Sequence, residues 1–271
     1  MRIPLSIATR YVPSWGVWEA VREIVQNGLD EADRGFPLKI EHRALAIRVS
    51  NAEARLERST LLLGGGDKAD SGLRGKFGEG YKLALLVCVR LKKPVRIWTG
   101  IGEIWAPSLE SSAVFGGAET LVIDVRSSSR VDGVVVEIGG IDDATWATIK
   151  SRILALSPPK PEEVIHTDRG RILLSPAYHG QLYCRGLWVG LLPDTYAFGY
   201  DLDLLSLDRD RKMAEPWSLR YEIGTAIADA AHRKRLTTDH LTAALAYPGE
   251  RAAIANRCRI VTKRYHGPVA W

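Results

Sequence analysis

Apolar and polar positions follow two rhythms along the chain. Over residues 15–34, Val17, Val21, Ile24, Val25 and Ala32 fall on one side at 100° per residue, and Glu19, Glu23, Asn27, Asp30 and Arg34 on the other. The spacing predicts an amphipathic helix that Gly35 and Pro37 end. "LAIRVS" (45–50) alternates with a period of two and predicts a strand. "YKLALLVCVRL" (81–91) is apolar almost throughout and predicts a buried helix or helix–strand element. Short strands are predicted at "PVRIWTG", "GEIWAP", "ETLVIDVRS" and "GVVVEIGG", parted by Gly, Pro and Ser. "DDATWATIKSRILAL" (142–156) opens on acids that suit a helix N-terminus.

The three prolines of "SPPKPEE" (157–163) cannot continue that helix, which divides the chain into 1–157 and 158–271. Beyond them "GRILLS", "GQLYCRGLWVGLL" and "YAFGYDLDLLSL" predict strands, and helices are predicted near 216–234 and 237–247. Tyr178, Tyr183, Trp188, Tyr196, Phe198 and Tyr200 are concentrated here and are expected to fill the core of a small β-rich domain.

Composition adds bounds. At 46% hydrophobic and 25% charged, 271 residues make an ordinary globular balance. A net charge of +5 permits an anionic partner, nucleotide or nucleic acid, without requiring one. "HRKR" (232–235) and "RCRIVTKRYH" (257–266) read either as solvated surfaces or as a nucleic-acid face. Cys88, Cys184 and Cys258 are far apart, which fits a reducing compartment. "MRIPLSIATR" holds too few apolar residues for a signal peptide, and no run reaches the length of a membrane span. The expectation is a soluble cytoplasmic protein with no membrane partner. The histidines show no metal-ligand spacing.

Two stretches carry candidate chemistry. In "VREIVQNGLDEAD" (21–33), Glu23, Asn27 and Asp30 sit at offsets of four and three on one helix face. That stripe is either a solvated surface or a site. As a site, the Asn27 side-chain oxygen could hold magnesium, with phosphates and water completing the coordination. Glu23, about 6 Å along the same face, could take a proton from an attacking water. Downstream, "TLLLGGGDKADSGLRGKFGEG" (60–80) is a long glycine-rich stretch. Gly75, Gly78 and Gly80 would let main-chain N–H groups approach phosphate oxygens, with Lys68, Lys76 and Lys82 adding charge. Alone, it could equally be a turn. It is not a Walker A loop, because Phe77 follows Gly75-Lys76, and its GxxGxG spacing fits a dinucleotide fingerprint poorly.

Together the stretches resemble a known family. "EIVQNGLDEA" resembles the ExxxNxxDE signature of the GHKL ATPases, which include gyrase B, the heat-shock chaperones, MutL and the histidine kinases; "GKFGEG" resembles their GxxGxG lid. "DGVVVEIGG" (132–140) resembles the later GT-x-V strand, with Val134 where Thr is common. The resemblance implies an α+β fold. A Bergerat-type two-layer sandwich, helices on one face of a mixed sheet, would be followed by a smaller transducer-like α/β domain. It also implies ATP and Mg2+ as ligands. Glu23 would be the general base, Asn27 the magnesium ligand and Asp30 part of the pocket. Gly75, Lys76, Phe77, Gly78, Glu79, Gly80 and Tyr81 would wrap the phosphates, and Lys68 would touch them. Glu23, present where histidine kinases usually carry another residue, favours hydrolysis.

The family's DxGxG motif departs most: "VSNAEARL" places Asn51 at its Asp and lacks both glycines. An amide oxygen still accepts a hydrogen bond from adenine, without the carboxylate's charge; Asn51 reads equally as a turn residue after a strand. "DLLSLDRDRKM" (203–213) resembles the heat-shock chaperone stretch that ends in Ser-Arg-Glu-Met, which implies Arg211 as the catalytic arginine, with Arg209 and Lys212 as competitors; a locally paired charge run is the other reading. The resemblance implies a switch driven by lid closure, with an ATP-dependent homodimer. The competing expectation is a non-hydrolysing module that binds nucleic acid or a protein client.

Overall fold

The computed structural model describes residues 1–62, 79–192, 195–205, 207 and 216–265. The chain divides into two compact units, Met1–Ile149 and Lys150–Trp271.

The first unit is a seven-stranded sheet with two helices packed on it. Strands β1 (Arg2–Ala8), β2 (Leu38–Arg43), β3 (Ala46–Ala52), β4 (Val95–Thr99), β5 (Glu103–Ser112), β6 (Ala118–Ser127) and β7 (Gly133–Gly139) are ordered β1-β6-β5-β4-β7-β3-β2. Each pairing is antiparallel, and the mixed pattern expected from the sequence belongs to the second sheet. Hairpins join β2 to β3 and run β4–β5–β6 as a meander, and β7 then enters between β4 and β3. Such connections reverse the chain at each step.

Helices α1 (Val17–Asp33) and α2 (Gly80–Arg90) pack against each other and against β2–β5. The period-two alternation turns Ile47, Val49 and Asn51 of β3 and Val95, Ile97 and Thr99 of β4 into the buried interior. The opposite face carries a row in register: Glu41 opposite Arg48, Arg48 opposite Glu137, and Glu137 opposite Arg96. Opposite charges facing each other across strands are favourable, each pair contributing about 0.2–1 kcal/mol. In α3 (Asp143–Ser151), Asp142 accepts from the Thr145 N–H at 2.7 Å, so the acids do cap that helix. This bond holds the Asp142 carboxyl below its ordinary value.

The second unit pairs β8 (Val164–Thr167), β9 (Gly170–Leu173), β10 (Gln181–Cys184), β11 (Leu187–Leu191) and β12 (Gly199–Leu202) in the order β11-β10-β12-β9-β8. β10 and β12 run parallel. Helices α4 (Pro216–His232) and α6 (Pro248–Tyr265) pack together, with α5 (Thr238–Ala246) beside α6. Tyr183, Tyr196, Phe198 and Tyr200 are buried, so these four rings are core and offer no stacking platform.

A buried acid organises this unit. Glu250, in the first turn of α6, accepts from the Ala197 N–H (2.9 Å), the Phe198 N–H (3.2 Å) and the Tyr200 hydroxyl (2.9 Å). Burial pushes its carboxyl up, and the hydrogen bonds only partly oppose this. A folded value raised above the unfolded one gives stability that is present below the ordinary carboxylate value and lost as pH rises through the folded value. Relative to Glu250→Gln, which cannot ionise, the wild-type melting temperature should therefore gain a few degrees as pH falls from neutral toward 5. Parallel thermal melts across that range test this, and a pH-independent difference would refute it.

Candidate functional site

Eleven of the seventeen residues of α1 are buried, on both sides of the helix. The polar stripe is therefore not a solvated face: Glu23 is 3% exposed, Asn27 7% and Asp30 0%. Ionised groups that leave water need partners. Glu23 has one in Arg22, itself buried, whose Nε and Nη2 donate to Glu23 Oε1 at 3.2 and 3.0 Å. The same guanidinium stands over the Trp15 ring, 5.2 Å from its centroid. Asn27 Nδ2 donates to the Glu23 main-chain oxygen at 2.9 Å; the amide's oxygen is its only atom able to ligate a cation.

Helix α2 begins against this pair. A Cβ built on Gly80 would lie 3.0 Å from Glu23 Oε2 and 3.2 Å from Asn27 Nδ2. The third glycine of the GxxGxG stretch thus lets the start of α2 sit directly on the carboxylate and amide, a space a side chain would fill. Glu79 precedes it as the cap residue, its carbonyl accepting from the Leu83 N–H at 3.1 Å. Burial raises the Tyr81 phenol far above its usual value, and the Glu31 and Asp30 carboxylates add to the shift.

Lys82, fully buried, donates from Nζ to the carbonyls of Thr60 (2.8 Å) and Leu62 (2.6 Å). Burial lowers its value. Its ammonium ties the turn at Arg58–Leu61 to the first turn of α2, a role the sequence reading, which saw only nearby charge, missed.

Asn51 lies inside β3, opposite Leu38 and Val134, and is not a turn residue. Its Nδ2 donates to the carbonyls of Gly28 (2.9 Å) and Phe36 (3.0 Å). Both amide protons thus stitch α1 and the chain after it to the sheet, at the point where Gly28 packs against Val49 and Leu38. Lys68, Gly75, Lys76, Phe77 and Gly78 lie outside the described residues, as do Arg209, Arg211 and Lys212.

Arg90 was not singled out from the sequence. Nη1 donates to the carbonyls of Thr9 (3.2 Å) and Tyr11 (2.9 Å), and Nη2 to those of Val12 (3.1 Å) and Trp15 (2.8 Å). These four bonds hold the segment entering α1, including Val12 at a left-handed φ of 46°. Charge-assisted bonds of this kind are the stronger ones, so Arg90→Met should cost about 3 kcal/mol in chemical denaturation. A cost below about 1 kcal/mol would mean that water replaces the guanidinium readily.

Among the described residues, no three His, Cys, Asp or Glu side chains form a metal-binding group, and no helix is long and apolar enough to cross a membrane. Comparison with known proteins gives a likeness in fold alone. No family model matches the chain, and no curated protein sequence matches it. A structure of the ATPase region of Saccharomyces cerevisiae topoisomerase II bound to ICRF-187 (dexrazoxane) is similar at a TM-score of 0.39 and 10% identity, over 62% of this chain and 60% of that one. A second structure of that ATPase region gives 0.40 and 10%, over 64% and 62%. The chain thus spans about three fifths of the length of these structures.

Proposed function

We propose that the first unit binds ATP with magnesium and hydrolyses it. The observation that carries the reading is the seating of Gly80, the last glycine of a phosphate-type loop, on a buried Glu23–Asn27 pair. A carboxylate, an asparagine amide and the N-terminus of α2 meet there, groups suited to activating water, holding a hard cation and receiving phosphate. Bound magnesium would supply charge neutralisation on the phosphates. Asn27 would hold it, Glu23 would accept the proton of the attacking water, and Asp30 with Tyr81 would wall the pocket. Asn51 would line the adenine side while its amide protons keep their main-chain partners. Lys68, Gly75, Lys76, Phe77, Gly78 and Glu79 would close over the phosphates, and Arg211 would stabilise the charge developing in transfer. Closure would drive a change of conformation or of dimer state.

Titration calorimetry tests the binding half. ATP should bind in the presence of Mg2+, and Asn27→Ala should weaken the magnesium-dependent affinity by about tenfold. An unchanged affinity in Asn27→Ala would place the metal elsewhere. The second reading, a module that binds a nucleic acid or a protein client without hydrolysis, is favoured by Asn51, whose amide is committed to the fold. Binding without turnover, with or without nucleic acid, would select it.

A further inference from the structure

We infer that Arg22, fixed by Trp15, positions the Glu23 carboxylate for proton transfer. This rests on the reading of Glu23 as the base and adds a residue to it. Two guanidinium N–H groups converge on one oxygen, Oε1. The other oxygen, Oε2, lies on the Gly80 side, 3.0 Å from where a Cβ on Gly80 would stand. Two bonds on Oε1 restrict how the carboxylate turns and so keep Oε2 on the Gly80 side. Glu23 and Arg22 are 3% and 6% exposed, so water does not compete for this geometry as it would at a surface ion pair.

The guanidinium is itself held. Trp15, 5% exposed, lies beneath it, a cation–π contact on the face of the best aromatic donor. Trp15 is anchored in turn: its carbonyl accepts from Arg90, and its N–H donates to the Val12 carbonyl at 3.1 Å. A chain of fixed groups therefore runs Arg90, Trp15, Arg22, Glu23. It begins on α2, passes through the segment before α1, and ends at the carboxylate that α2 itself faces through Gly80. A planar fork over an aromatic ring is a geometry that lysine does not reproduce.

The test uses the full chain. Arg22→Met and Arg22→Lys should each lower kcat for ATP by about 30-fold, leaving KM and the calorimetric ATP affinity within about twofold. Trp15→Leu should give a smaller loss of the same kind, and Trp15→Phe, which keeps a ring under the guanidinium, should recover most of it. Combined with Glu23→Gln, Arg22→Met should have no further effect, since nothing is left to position. A readout independent of turnover is the side-chain Nε–H signal of Arg22 in NMR. It should exchange slowly with solvent in the wild type and in Glu23→Gln, which keeps an acceptor oxygen, and fast in Trp15→Leu and in Glu23→Ala. Unchanged or increased kcat in folded Arg22→Met and Arg22→Lys, with Glu23→Gln inactive, would overturn the positioning role alone. A wild type that binds ATP without turnover, or an active Glu23→Gln, would overturn the base assignment and the positioning role with it. A fall in ATP affinity parallel to kcat would reduce Arg22 to a structural residue.

Discussion

Glu23→Gln is expected to lower ATP turnover by about 10³-fold while ATP still binds within about twofold of wild type, because a positioned base contributes about 10²–10⁴ to rate. Glutamine retains a carbonyl oxygen for the Arg22 fork, so the buried guanidinium keeps an acceptor and the helix keeps its packing. Only the capacity to take a proton is removed. Phosphate release at saturating ATP and Mg2+, beside calorimetry on the same preparation, separates the two effects. Retained turnover would dismiss Glu23 as the base, and lost binding in a folded protein would make it a binding residue instead.

Gly133→Ala is the largest expected effect on stability. Gly133 opens β7 at φ 140°, and a Cβ there would stand 2.3 Å from the main-chain oxygen of Asn51 and 3.0 Å from Ala52 Cα. Both neighbours are backbone in the paired strand β3, so relief means parting two strands in the middle of the sheet. Strain and lost pairing together should cost about 4 kcal/mol, lowering the melting temperature of the first unit by about 10 °C. Because Asn51 carries the bonds to Gly28 and Phe36, the loss should reach α1 and weaken ATP binding too. Gly116→Ala is the control. Gly116 also has a positive φ, 63°, but nothing within 4 Å, so backbone strain of about 1 kcal/mol is all it should show. Equal effects of the two would mean that the sheet yields at Gly133.

The sequence made some of this legible and hid the rest for physical reasons. Helix α1 followed from its apolar period and from Gly35 and Pro37. Periodicity tells which residues share a face, and it does not tell what that face meets; the polar side of α1 meets protein. Strands β1 and β2 escaped notice because they are edges, one carrying Pro4 and the other Lys39, Glu41 and Arg43, the residues that guard an edge. Helix α6 escaped because small alanines do its packing: Gly224 of α4 comes so near Ala253 that a Cβ would lie 2.3 Å from its carbonyl oxygen. At the site, residue types and offsets singled out Glu23, Asn27, Asp30 and Gly80. The partnership of Arg22 with its sequence neighbour, and the distant clamp by Arg90, depend on burial and on contacts across some 80 residues that no local pattern encodes.

The place of β7 also sets a schedule. It lies between β4 and β3 and is the last strand of the first unit to leave the ribosome. Until residue 139 emerges, the inner edges of the β2–β3 hairpin and of the β4–β5–β6 meander, which carries β1 on its far side, lack the strand that joins them. At roughly 5–20 residues per second, that exposed interval lasts for the synthesis of everything between β3 and β7. The two inner edges are the surfaces on which a chaperone, or a neighbouring nascent copy, would find this protein most open to capture.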